Sequence, residues 1–151
     1  MRSEAQDAAY VEFVTARQSH LRRIAYAVCG DWQRADALLD QALTRLYVAW
    51  PRQQRDGTEE VFVRRAIFRH ADESPTAPRP DATRSALFAA LQAMPLLQRK
   101  VAVLRLWLAL SAREAADELG ATIRSVEMQA ARARAALEDT PAEGDSAQED
   151  A

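Results

Sequence analysis

The stretch from Asp31 to Pro51 constrains this chain more than any other. Ala35, Leu38, Leu39, Ala42, Leu43, Leu46, Tyr47 and Trp50 recur at i, i+3, i+4 and i+7. That spacing lays them along one side of an α-helix and leaves Asp36, Asp40, Gln41, Thr44 and Arg45 on the polar side. A lone helix of this length is marginal in water, so the stripe must be covered by other helices. Asp31 is suited to cap the helix, because its carboxylate can accept from unsatisfied N–H groups of the first turn. Pro51 is predicted to end it, with the polar residues 52–57 as a loop.

Partners for the stripe lie on both sides. Tyr10, Phe13, Val14, Leu21, Ile24, Ala25 and Val28 predict a helix over 4–29, stopped at Gly30. Thr58 is a cap candidate for a third helix to about Ala71, with Val61, Phe62, Ile67 and Phe68 apolar. The composition then changes. Glu73 to Thr83 holds three of the six prolines, which favour extended backbone, and reads as a linker. Asp81 or Thr83 is predicted to start a helix reaching Ala93. Pro95 fits the first turn of the next, which is expected to run to about Ala109 with Leu97, Val101, Leu104 and Leu108 on one face. Ser111 and Glu114 match a capping box, and the helix they open stops at Gly120. Thr122 caps a last helix to about Glu138.

The expected fold is therefore all-α. A three-helix domain over 1–73 and a helix-turn-helix domain over 84–138 are joined by a Pro-rich linker, 74–83, and followed by an acidic disordered tail, 139–151. Low glycine and few β-branched runs agree with this. Cys29 is the only cysteine, which excludes a disulfide framework and a cysteine-based zinc site. There is no Gly-rich phosphate loop, metal cluster or nucleophile–base pair, so neither catalysis, a cofactor nor a metal is expected. No apolar run is long enough for a membrane helix, and the N-terminus lacks a secretory apolar region, so no membrane partner and a cytoplasmic location are expected. Cys29, Trp50 and Trp107 read as core, Trp32 as a contact residue beside a helix start, and His20 and His70 as solvated or capping groups.

Charge is unevenly spread. Between Ala82 and Leu137 eight bases face four acids, whereas residues 1–73 balance at eleven and eleven. Nucleic-acid contact is therefore expected in the second half. Its strongest motif runs from Ser111 to Leu137: a short helix, a turn at Gly120–Thr122 and a longer helix. In DNA-binding versions the N-terminal residues of the second helix enter the major groove. The candidates are Thr122, Arg124, Ser125, Met128 and Gln129, with Arg124 and Gln129 suited to base edges. Arg132 and Arg134 suit phosphates, and Glu127 on the same face opposes them.

Two blocks in this order resemble the ECF-type bacterial RNA polymerase sigma factors, and the style is closest to actinobacterial members. Tyr26 to Trp50 with Phe62 to Ile67 is similar to the σ2 domain, and Ala90 to Leu137 to σ4, with Met94-Pro95, Gln98-Arg99 and Val103-Leu104-Arg105 at the characteristic positions before the helix-turn-helix. The resemblance implies a transcription-initiation protein rather than an enzyme. Its σ2 would dock on the β′ clamp of core RNA polymerase through Asp36, Asp40, Gln41, Thr44 and Arg45; its σ4 would sit on the β flap and read promoter DNA. An anti-sigma factor is a further candidate partner. Two departures stand out. The usual acidic pair, Leu and following Gln read here Asp36-Ala37-Leu38-Leu39-Asp40. The dense basic run expected after Arg65 is replaced by Ala66-Ile67-Phe68-Arg69-His70-Ala71-Asp72-Glu73. These departures favour an alternative, a degenerate sigma-like module that binds polymerase or a regulator without opening DNA.

Overall fold

The computed structural model describes residues 3–72 and 85–140. Among them the chain is all-α. The helices are α1 (Glu4–Cys29), α2 (Trp32–Asp56), α3 (Glu59–His70), α4 (Ala86–Ala93), α5 (Leu96–Ala102), α6 (Ala112–Leu119) and α7 (Ile123–Glu138), with a π-helical turn over Val103–Trp107. The chain divides into two compact units, Met1–Ala71 and Asp72–Ala151. The linker proposed over 74–83, the helix starts at Asp81 or Thr83, and tail residues 141–151 lie outside the described residues.

In the first unit α1 and α2 form an antiparallel pair. Tyr10 near the start of α1 meets Tyr47 and Trp50 near the end of α2, with ring centroids 5.1 and 5.5 Å apart. Gly30 at φ 74° ends α1, and the Asp31 carboxylate accepts from the N–H groups of Gln33 and Arg34 to open α2. The α2 stripe is buried at Ala35, Leu39, Ala42, Leu43, Leu46 and Trp50. It packs against Leu21, Ile24, Ala25 and Val28 of α1 and Val63, Ile67 and Phe68 of α3, residues that are almost fully withdrawn from water.

Pro51 does not end α2, which continues to Asp56. Pro51 removes one N–H and crowds the preceding turn, yet it lies on an exposed face and the next turn is closed at its far end. Gly57, at φ 68°, donates to the Gln53 and Gln54 carbonyls, Thr58 N–H donates to Gln53 O at 3.0 Å, and the Thr58 hydroxyl holds the Gln53 side chain. That same hydroxyl therefore makes no cap bond to α3.

The second unit is built around α5. Val101, Ala102, Val103 and Leu104 are all buried, and four consecutive residues cover most of a helix circumference. The end of α5 and the start of the π turn are thus covered on most sides, with α4 and α7 both contacting α5. Met94, Ala102 and Ala133 form a core cluster flanked by Leu91, Leu106, Ala136 and Leu137. The expected straight helix to Ala109 is corrected. The backbone widens, with Leu108 N–H bonding Val103 O at 3.0 Å and Leu110 N–H bonding Leu104 O at 2.9 Å, and Ala109 sits at φ 57°. The Arg105 guanidinium donates to Leu110 O at 2.6 Å and pins the exit. The shifted register leaves Trp107 46% exposed instead of in the core, and Leu97 is likewise exposed.

Helix α4 is opened by Ser85, whose hydroxyl accepts from Phe88 N–H at 3.0 Å. Its far end is closed from the next helix: Arg99 donates to the carbonyls of Leu91, Gln92 and Met94 at 3.2, 3.1 and 2.9 Å. A cation there satisfies orphan carbonyls and complements the negative helix end.

The turn between α6 and α7 depends on Gly120 at φ 65°, where an added Cβ would meet nothing within 4 Å. The cost of alanine is therefore torsional alone. Gly120→Ala is expected to lower stability by about 1–2 kcal/mol, measured by denaturant unfolding of the full chain, while Gly120→Asn, whose side chain tolerates this conformation, costs less.

Candidate functional site

The helix-turn-helix is assembled by short-range bonds. The Ser111 hydroxyl accepts from Glu114 N–H at 3.1 Å, and the Glu114 carboxylate accepts from Ser111 N–H at 3.1 Å. Ala121 N–H reaches back to Ala116 O at 3.0 Å across the turn, and the Thr122 hydroxyl accepts from Ser125 N–H at 3.1 Å to start α7. Small side chains let α6 and α7 approach: Ala115 and Ala116 are buried on α6, and Val126, Ala130 and Ala133 on α7. Leu119, at the end of α6, is only half-buried.

The buried stripe of α7 dictates what faces outward. Arg124, Glu127 and Met128 are exposed, Met128 at 48%. Arg132 and Arg134 are exposed farther along, whereas Ser125 and Gln129 are half-buried on the flanks. Thr122 is exposed, but its hydroxyl is spent on the cap. Ile123 is exposed on the first turn and was not among the sequence candidates. Three residues before the buried Val126, it falls on the inward side by periodicity, so no pattern in the sequence marks it as exposed.

The polar face of α2 is more heterogeneous. Asp40, Gln41, Thr44 and Arg45 are exposed. The Thr44 hydroxyl donates to the Asp40 carbonyl at 2.8 Å, and Arg45 contacts Nε2 of His70 on α3. Val48 continues this face and is 75% exposed, an apolar residue the periodicity did not single out. Asp36 differs from the others: Arg22 of α1 grips it bidentately, at 2.6 and 3.2 Å.

Arg22 also lies over the Trp32 indole, 4.3 Å from its centre, and Tyr26 stacks on that ring at 3.7 Å with planes 2° apart. Both contacts hold the indole against α1, although Trp32 keeps 41% of its surface exposed. Trp32, expected as a contact residue, thus staples the α1–α2 corner. The histidines are engaged as well, His20 lying 3.6 Å from Glu60 of α3. The Cys29 thiol, 3.3 Å from the Asp31 carbonyl, is pushed up by burial, which favours the unreactive protonated form. Among the described residues no group of three or more His, Cys, Asp or Glu is placed to hold a metal ion, and no helix is long and apolar enough to cross a membrane.

The fold and the α6–α7 face define an all-α protein with a helix-turn-helix of the DNA-binding type. Residues 84–137 match the family model for Sigma-70, region 4. Across most of its length the chain is similar to the RNA polymerase sigma-E factors of Streptomyces coelicolor, at 31% identity with 86% of this chain and 84% of that protein covered, and of Streptomyces avermitilis, at 30% with 86% and 83% covered. The corresponding factor of Streptomyces antibioticus is also 30% identical. The chain belongs to the ECF family of RNA polymerase sigma factors, in its actinobacterial style. The factors it matches are not enzymes.

The Arg22 guanidinium, hydrogen-bonded to Asp36, holds that carboxyl below its ordinary value. A depressed folded-state value contributes stability that is present above the unfolded carboxylate range and lost as the pH falls through the folded one. Side-chain NMR is expected to show Asp36 titrating below the ordinary aspartate range, and Arg22→Gln should return it toward that range. An Asp36 titration unchanged by Arg22→Gln would contradict the pairing.

Proposed function

We propose that this chain is a sigma factor that binds core RNA polymerase and directs it to promoter DNA. One observation carries the reading. The segment matching region 4 presents, at exposed positions along α7, Arg124, Arg132 and Arg134, none of which forms an ion pair among the described residues. Unpaired guanidiniums on a helix-turn-helix second helix suit a polyanion whose grooves accept that helix. On this reading Arg124, with Ser125, Met128 and Gln129, addresses base edges, Thr122 positions the helix, and Arg132 and Arg134 hold phosphates. The β flap of the polymerase would carry this unit.

Docking on the β′ clamp is assigned to the outward face of α2. Asp40, Gln41, Thr44 and Arg45 carry it, with Val48 as an apolar centre. Asp36 contributes less than its neighbours because Arg22 already neutralises it. The protein supplies an address and performs no chemistry, and it works where core polymerase does, in the cytoplasm. An anti-sigma factor would compete for these same exposed faces.

A second reading, a module that binds polymerase without opening DNA, is favoured by the end of α3. After Arg64 and Arg65 the helix offers only Arg69 and His70 before it stops, and His70 is engaged by Arg45. Run-off transcription with core polymerase separates the two: defined transcripts support the sigma factor, and co-purification without transcripts supports the module.

Asp40→Arg alters an exposed side chain, so thermal unfolding should change by no more than about 0.5 kcal/mol, while co-purification with core polymerase is expected to be lost. Retained co-purification would move the docking face off α2. Arg124→Ala is expected to weaken binding to a preferred promoter by about 1–3 kcal/mol, measured by DNA titration of the polymerase complex. An unchanged affinity and sequence preference would remove Arg124 from the base contacts.

A further inference from the structure

The outward face of α7 carries two opposite charges that do not join. Arg124 and Glu127 are three residues apart, a spacing that makes neighbours on a helix. Both are exposed, and neither enters an ion pair among the described residues. Exposed apolar side chains flank them: Ile123 at 41% and Met128 at 48%. The other free cations of the helix, Arg132 and Arg134, stand at least a turn beyond Glu127. The first two turns are thus nearly neutral overall, and the phosphate-seeking charge is concentrated farther along.

On the reading that α7 enters a DNA groove, we infer that Glu127 is a specificity residue that selects cytosine at one promoter position. An ionised carboxylate only accepts hydrogen bonds. In the major groove, guanine presents O6 and N7 and thymine presents O4, all acceptors, and both repel it. Adenine offers its N6 donor beside the N7 acceptor, which opposes the second carboxylate oxygen. Cytosine alone presents a donor, N4, without an adjacent acceptor on the same base. Phosphates repel Glu127 on every sequence. The residue therefore lowers affinity everywhere and least where cytosine lies beneath it, which is discrimination by rejection. Arg124 on the neighbouring position accepts no hydrogen bond and suits guanine, so the pair reads adjoining positions with opposite requirements.

The test selects preferred duplexes from randomised DNA with the full chain bound to core polymerase, comparing wild type, Glu127→Gln and Glu127→Lys. Wild type is expected to favour cytosine at one position by about fivefold or more. Glu127→Gln should shift that one position toward adenine, and Glu127→Lys toward guanine, with the remaining positions unchanged. Glu127→Lys should also bind all DNA more tightly and with a steeper salt dependence. Unfolding curves should coincide for the three proteins, because the side chain is exposed. Variants that gain affinity on all sequences alike, with an unaltered preference at every position, would overturn the inference and leave the promoter-directing reading standing. A wild-type complex that enriches no sequence at all would overturn that reading and the inference with it.

Discussion

Val126, Ala130 and Ala133 hold α7 against its neighbours, and what that helix can offer a partner follows from their burial. Two of the three are alanines, so the α7 backbone sits close to its neighbours and the rotation of the helix is tightly defined. Fixing the rotation fixes which residues point away. Arg124, Glu127 and Met128 face outward, and Ser125 and Gln129 are drawn to the flanks. The turn serves the same end. Gly120 reverses the chain without strain, Thr122 satisfies an N–H at the new helix start, and the Ser111–Glu114 box does so for α6. An interface made of long, flexible side chains is positioned by the small, immobile ones behind it.

Much of this was legible beforehand, for an identifiable reason. Helix ends marked by local chemistry were readable: Gly30 and Asp31 between α1 and α2, Ser111 with Glu114, and Gly120 with Thr122. Each signal acts through bonds within a few residues, so neighbouring letters suffice. What was missed depends on distant partners. Pro51 reads as a stop, but the residues after it are held by Gly57 and Thr58. Trp107 lies on a regular apolar pattern, but the π turn rotates it outward, and that turn answers to the burial of four consecutive residues around α5. Arg99 is picked out in the sequence only by its place in the Gln98-Arg99 pair, and its bonds to three carbonyls of the preceding helix end show what it holds.

The site shows the same division. Periodicity placed Asp36 with Asp40, Gln41, Thr44 and Arg45, and the face of α2 is indeed polar. Periodicity carries no information about the opposing helix, and it is α1 that sets Asp36 apart. Arg22 joins it to the Tyr26–Trp32 stack, so a charge that looked available is part of the corner holding α1 to α2. Val48 escaped notice for the converse reason. A lone apolar residue on a polar face breaks the pattern used to find faces, yet such a residue gives a docking surface an apolar centre.

Both candidate faces belong to separately packed helix units, and that arrangement bears on how an address can be both selective and reversible. Neither face is large. The α2 face offers a few polar groups around Val48, and the first two turns of α7 hold a single arginine against a glutamate. Each alone would bind weakly. On one chain, engagement of the first unit raises the effective concentration of the second at its own target, so joint occupancy gains strength without any added contact. Weak individual faces then become an advantage. On the promoter-directing reading, wrong DNA is rejected because the first two turns of α7 bring little indiscriminate attraction to phosphate, and Glu127 works against what there is. On that reading, selectivity rests less on how strongly α7 grips DNA than on how little it gains from DNA of the wrong sequence.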